Sequence, residues 1–433
     1  MSRTIKTFSV LVLIGMISIS HALAPQPAEK QKQEVVYHNA NIHIGNGQIL
    51  KNATIAFDNG KISRVGHFRM AWQKTDIDLK GKHVYPGFIL PVTNLGLTEV
   101  EAVKATQDGQ ETGKINPNIR SLIAYNTDSE ITPTLKFNGI LLAQPTPQGG
   151  LVSGLSSIVQ LDAWNWQDAV VVTDDAVHVN WPSSMKAKFD FSTFTLKVQE
   201  NKDYASQLEK VTALFMDAKS RADLKGDKLV NLKLDAVVPV FSASRKVYIH
   251  TNAPKSIVES INFFQKIGVD HLVLVAGQGV EPVIGFIKQS GVPVIVSSAH
   301  SLPKREDSSV DDGYTVAIKL HKAGVLVALA HSVDSGVMSA RNLAYAAGTL
   351  VNYGMEKEQA LQLITGNTAK ILGIDKKYGT LEVGKSATLI ITEGDALDMR
   401  TNILDAAYID GRKLNLDGRQ QKLNQRYLEK YQR

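Results

Sequence analysis

From about residue 86 to residue 378 the chain alternates short apolar runs with stretches of helical periodicity, and this rhythm constrains the fold more than any other feature. Ile140–Ala143, Val247–Ile249, Leu272–Val275, Val292–Val296 and Val325–Leu329 are mostly apolar runs of strand length. Ile257, Val258, Ile261, Phe264 and Ile267 lie close to one face of a 3.6-residue period, and Ser339–Tyr353 and Glu356–Ile364 read as further helices. A strand covered by helices on both faces needs no polar side, so apolar runs separated by amphipathic helices predict parallel β/α units. The extent of the region suits a (β/α)8 TIM-type barrel over 86–378. Residues 160–240 are less regular, and their strands cannot be counted from the sequence.

The two ends differ from this middle. Val35, Val36, Ile42, Ile44, Ile55, Phe57, Ile62 and Val65 sit among the turn pairs Asn46-Gly47, Asn59-Gly60 and Lys80-Gly81, which reads as short strands. Residues 379–415 repeat the pattern and close on Asp410-Gly411. The economical α/β architecture joins 23–85 and 379–415 into one small β-sandwich domain built from both chain ends. The polar tail 416–433 is expected as a surface helix.

Hydrophobic residues make up 43% of the chain and charged residues 21%, enough for a large core and incompatible with global disorder. The absence of cysteine excludes disulfides, thiolate metal sites and a thiol nucleophile. The formal charge of +6 is spread without a long block of one sign, so no nucleic-acid partner is expected. Arg3 and Lys6 precede a largely apolar run over 8–19, followed by Ser20, His21 and Ala22. That order predicts a signal peptide over 1–22 and a periplasmic or secreted protein. Cleavage is expected after Ala22, because Pro25 would follow a cut after Ala24. The alternative, an uncleaved anchor, is disfavoured because a span needs about 20 apolar residues, so no stable membrane anchor is expected.

Several motifs carry a resemblance. Tyr85-Pro86-Gly87-Phe88-Ile89 follows the β-rich start, and Ala360-Leu361, Thr365, Asn367, Ala369 and Leu372-Gly373 lie late in the chain. Gly379-Thr380-Leu381-Glu382-Val383-Gly384-Lys385-Ser386-Ala387 and Ile409-Asp410-Gly411-Arg412 follow. In this order the motifs resemble the amidohydrolase superfamily over roughly 35–415, and Ala340-Arg341-Asn342-Leu343 through Ala347-Gly348 is similar to its imidazolonepropionase-like, exported branch. The resemblance implies hydrolysis of a C–N bond in an amide, cyclic amide or small peptide. It also implies one or two divalent metals held by a His-x-His pair on the first barrel strand and an Asp on the last.

At the matching positions the chemistry differs. Val92 and Asn94 occupy the His-x-His positions, and alternation predicts that they share a face. Ala276-Gly277-Gln278 lacks the family's next His, Ser332 stands at the last-strand Asp with Asp334 two residues on, and Thr388 replaces the Asp after Ala387. No metal or other cofactor is therefore expected, and zinc is the alternative. Against this, His250, His300 and His331 each follow an apolar run, at the strand ends that form the active face of such barrels. His250 also approximates the family's fifth-strand His. With Asp334, these residues either bind metal or act as acid and base, or they are ordinary polar strand caps. His250, His331 and Asp334 are the catalytic candidates. His178, His271 and His321 lack strand-end context and are assigned surface or packing roles, as are His38, His43, His67 and His83.

Gln144 through Gly154 form a Gly-rich loop without the Gly-Lys-Ser/Thr ending of a P-loop. Its Gly149 and Gly150 either cradle an anionic or amide ligand through backbone N–H groups or simply make a tight turn. Arg341 is a candidate grip for a carboxylate, or a surface ion pair, and His300 joins these as a candidate ligand contact. Two functions remain open. One is an exported amidohydrolase-like enzyme with altered residues. The other is a non-catalytic relative that binds a small amide or peptide, or partners an active paralogue in a homo- or hetero-oligomer.

Overall fold

The computed structural model describes residues 26–431 apart from 69–70, 193, 226–228, 298, 304–307 and 332–335. The expected leader over 1–22, Ser332 and Asp334 lie outside the described residues. Among the described residues the chain is a mixed α/β protein with two eight-stranded sheets and a separate two-stranded hairpin.

One eight-stranded sheet is composite. Its order is 412–413, 404–409, 389–392, 83–86, 35–43, 49–58 and 61–66, with 77–78 alongside 35–43. The two chain ends meet where Leu389 pairs with Pro86 and Thr392 with His83 in antiparallel register. Ile42, Ile55, Phe57 and Val84 from one end share a core with Leu381, Ala387, Leu389 and Ile391 from the other. Burying each such side chain is worth about 1.5–3 kcal/mol, so the sheet holds the ends together by its own core.

The other sheet is a nearly closed, TIM-like barrel. Its strands run in chain order: Phe88–Thr93, Ile140–Pro145, Val152–Gln160, Val170–Asn180, Lys246–His250, Leu272–Ala276, Val294–Val296 and Val327–Leu329. Val152–Gln160 corrects the expectation of an all-parallel barrel. It runs antiparallel to both neighbours, while every other pairing is parallel. Among the described residues the first and last strands are not paired with each other. Both instead donate to the segment that fills the seam: Ile89 N–H to the Ile364 carbonyl at 3.0 Å, and Leu329 N–H to Leu363 at 2.9 Å.

The two faces of each strand part company as the pleat requires. Ile89, Leu142, Ile158, Tyr248, Val273, Val275, Ile295 and Ala328 point inward, and Ile371, Leu372 and Ile374 pack with them. Phe88, Leu141, Val247, Ile249, Leu274 and Val294 point outward, into a cluster that includes the helix residues Ile257, Ile261, Phe264 and Leu343. The stretch 160–240 holds the long strand Val170–Asn180, the hairpin Met185–Asp190 with Thr195–Glu200, and the helix Tyr204–Asp223. Trp164 is exposed and Trp166 packs against the core. The tail forms the helix Arg419–Tyr431, which buries none of its residues.

Candidate functional site

A cavity of about 440 Å³ opens where the barrel strands end. Val92, Asn180, His250, Val275, Ser297 and His331 line it from strand ends, and Thr146 through Gly149 line it from the Gly-rich loop. None of the described lining residues carries a charge at neutral pH: they are amides, hydroxyls, apolar groups and two histidines.

The first strand reaches this cavity by an irregular path. Leu90 pairs with Ala143 but Thr93 pairs with Pro145, so the first strand carries an extra residue. Val92 absorbs the bulge at φ +49°, a conformation that costs a β-branched residue of order 1–3 kcal/mol. The strand ends at Thr93, so the alternation expected to put positions 92 and 94 on one face does not extend to Asn94. Val92 lines the cavity; Asn94 is buried and is not among the described lining residues.

A polar layer holds the bulge from inside the barrel. Val92 N–H donates to Gln144 Oε1 at 3.2 Å, and Gln144 Nε2 donates to Asp175 Oδ2 at 2.8 Å. Ser156 Oγ donates to Asp175 Oδ1 at 2.7 Å. Burial pushes the Asp175 carboxyl above its ordinary value, against the pull of Lys246, Ser156 and Gln144. Neither Asp175 nor Gln144 is marked as a site residue by a motif in the sequence.

His178, expected in a surface or packing role, is fully buried and hydrogen-bonded through Nδ1 to His250 Nε2 at 2.9 Å. In register, His178 lies opposite Tyr248 on the adjacent parallel strand, and alternation puts His250 on the same inner face. Burial depresses His250 to about 4, and burial, with His250 beside it, holds His178 well below the ordinary imidazole range. His331 is depressed too, by burial and then by His300; its Nε2 lies 2.6 Å from Ser339 Oγ. All three imidazoles are neutral at pH 7. The strand alternation Val177-His178-Val179 was the one sequence signal that pointed His178 inward.

Other candidates fall elsewhere. His300 lines a different cavity, of about 590 Å³, with Nε2 2.7 Å from Thr349 Oγ1 on the helix Leu343–Asn352. Its strand ends at Val296, so the chain has already left the barrel axis by residue 300. Arg341 is exposed in the short helix Val337–Asn342 and is not among the described lining residues of either cavity. Gly149 lines the His250 cavity, while Gly150 turns at φ +63° against the Lys114 carbonyl. The loop is tied down through its carbonyls: Asn180 Nδ2 donates to Gly149 O at 3.2 Å and to Gly150 O at 3.0 Å. Thr388 binds Ser386 Oγ and Asp410 N–H within the composite sheet, a structural position. Among the described residues no three His, Asp or Glu side chains cluster as a metal site.

The amidohydrolase family model matches residues 233–417. The imidazolonepropionase of Flavobacterium psychrophilum is 28% identical over 38% of this chain and 40% of its own length. That of Thermoplasma volcanium is 22% identical over 80% of this chain and 85% of its own. The chain thus spans less than half the length of the first of these relatives. In fold, it is similar to an amidohydrolase from Thermotoga maritima, with a TM-score of 0.76 and 21% identity over 88% of this chain and 99% of that one. The barrel with its composite sheet, the late-chain motifs and these likenesses make the chain similar to the amidohydrolase superfamily, and among its members to the imidazolonepropionases.

Proposed function

We propose that this chain is an exported amidohydrolase-fold protein whose barrel-mouth cavity binds an uncharged amide or cyclic amide, and that the metal-hydroxide mechanism of its superfamily is not available to it. The observation that carries this reading is the lining: two neutral histidines, amides and hydroxyls, with no charged group among the described residues. Such a surface matches a ligand that offers hydrogen-bond donors and acceptors but no net charge. The relatives' name denotes a cyclic amide that bears a propionate. A carboxylate calls for a cationic partner, and the candidate Arg341 lies outside the cavity.

The residues present do not fit a divalent metal. Val92 offers no ligand atom, Asn94 is not among the described lining residues, and His250 Nε2 is engaged by His178. Export rests on the N-terminal pattern of Arg3, Lys6 and the apolar run alone.

Metal analysis of the purified mature protein tests the reading. We expect less than about 0.2 equivalents of zinc, manganese or iron, since a catalytic site needs about three protein ligands. Near-stoichiometric metal that disappears in the His250→Ala, His331→Ala variant would overturn it.

A second reading, retained hydrolysis of a C–N bond, is favoured by the neutral His331 on the cavity wall, because a neutral imidazole is competent to take a proton at pH 7. Metal-independent turnover of a lactam or cyclic imide, lost in His331→Ala, would put this reading first.

A further inference from the structure

The hydrogen bonds behind the two cavity histidines fix which ring nitrogen of each carries its proton. His178 is buried on all sides, and its Nε2 has no partner. If His250 Nε2–H donated to His178 Nδ1, then His178 would carry its own proton on Nε2, leaving an orphaned donor in an apolar setting. Buried N–H groups without an acceptor are rarer than bare lone pairs. The favourable arrangement is the reverse: His178 Nδ1–H donates to His250 Nε2, and the bare lone pair sits on His178 Nε2. His250 is then protonated on Nδ1, the only ring nitrogen it has left for the cavity it lines.

His331 is set the opposite way. The Ser339 hydroxyl donates to the Gly336 carbonyl at 2.5 Å. Having one proton, it serves as acceptor in its 2.6 Å contact with His331 Nε2. His331 therefore carries its proton on Nε2 and keeps a lone pair on Nδ1. One cavity thus holds one imidazole with a spare donor and one with a spare acceptor. A secondary amide presents the complement, a carbonyl acceptor and an N–H donor.

Resting on the neutral-amide reading above, we propose that the cavity reads both halves of a secondary amide or lactam: His250 Nδ1–H donates to the carbonyl oxygen and His331 Nδ1 accepts from the N–H. His178 and Ser339 act as positioning residues that fix the two tautomers. The burial that keeps these imidazoles neutral keeps each tautomer defined across the neutral pH range. The chain thereby discriminates against ligands that lack the amide proton, such as tertiary amides and ketones.

Long-range ¹⁵N–¹H correlation spectra of the histidine-labelled, ligand-free protein at pH 7.5 test the tautomers directly. The expected result is Nδ1–H for His250 and Nε2–H for His331. Titration with 2-pyrrolidinone and with N-methyl-2-pyrrolidinone tests the ligand. The first should shift both rings, and the second should bind about tenfold or more weakly, because a buried acceptor would be left unpaired. His178→Asn keeps an N–H donor near the position of Nδ1 and should preserve the His250 tautomer. His178→Phe should release it and weaken the lactam. An Nε2–H tautomer at His250, or an Nδ1–H tautomer at His331, would overturn the proposal while leaving the neutral-amide reading standing. The stated tautomers with no lactam binding, or with equal affinity for the N-methyl compound, would overturn the ligand assignment.

Discussion

Asp162, at the end of the antiparallel barrel strand, holds Arg412 of the composite sheet at 2.8 Å, though the two lie 250 residues apart in the chain. The same carboxylate accepts the Ala28 N–H at 2.8 Å and faces Lys136 Nζ at 3.3 Å. One buried anion therefore ties the start of the described chain, the barrel and the last third of the composite sheet together. Removing one member of a buried ion pair leaves the other uncompensated, at a cost of about 3–5 kcal/mol. Asp162→Asn should lower the stability measured by urea unfolding by that order. The double variant Asp162→Leu, Arg412→Met should lose less than the sum of its single changes.

Stability should fall as the solution is acidified below neutrality. His250 has a folded-state pKa of about 4 against an unfolded value of about 6.5, so between these values the unfolded chain binds more protons. Its stabilising contribution is complete above the unfolded value and is lost as pH falls toward 4. Each unit of difference is worth about 1.4 kcal/mol, which gives about 3 kcal/mol for His250 across the window. His83, also depressed to about 4 by burial and by His43, acts in the same direction. Unfolding midpoints at pH 7.5 and 4.5 check the sign, and His250→Asn should flatten the difference.

Putting the His-x-His pair back should not rebuild a metal centre. Val92 lines the cavity and Asn94, beyond the strand end, is not among its described lining residues, so Val92→His with Asn94→His places only one of the two imidazoles on the cavity. The double variant should purify with less than about 0.2 equivalents of zinc, because the ligand count stays short of about three. Stoichiometric zinc in that variant would contradict this placement.

Gly279 should tolerate no side chain. A Cβ there would lie 1.5 Å from the carbonyl oxygen of Asn252, a cavity-lining residue whose own side chain accepts the Gly277 N–H at 2.5 Å. Gly279→Ala must move backbone against backbone, and a cost of at least about 2 kcal/mol is expected. A melting temperature unchanged from wild type would contradict the close approach.

The sequence alone determined the barrel and its framing. The apolar runs Val247–Ile249, Leu272–Val275 and Val325–Leu329 are strands in the structure, because a strand sandwiched between two apolar layers has no alternative to a near-continuous apolar composition. Pro86-Gly87 and the Thr365–Gly373 motif were equally legible, since short motifs encode local backbone shape. His250 and His331 were placed correctly at strand ends for the same reason.

Only the tertiary structure decided the rest. Val152–Gln160 is buried along its whole length, and such a strand reads the same in either direction, so its antiparallel course is fixed by its neighbours. The left-handed turn at Val92 contradicts local preference and persists because Gln144, Asp175 and Ser156 hold it from other strands. The His178–His250 bond joins residues 72 apart, and neither residue's local sequence encodes the other's tautomer. Local composition specifies which face of a strand is buried. Which polar atoms meet on that face depends on register between strands, and register is a property of the closed sheet.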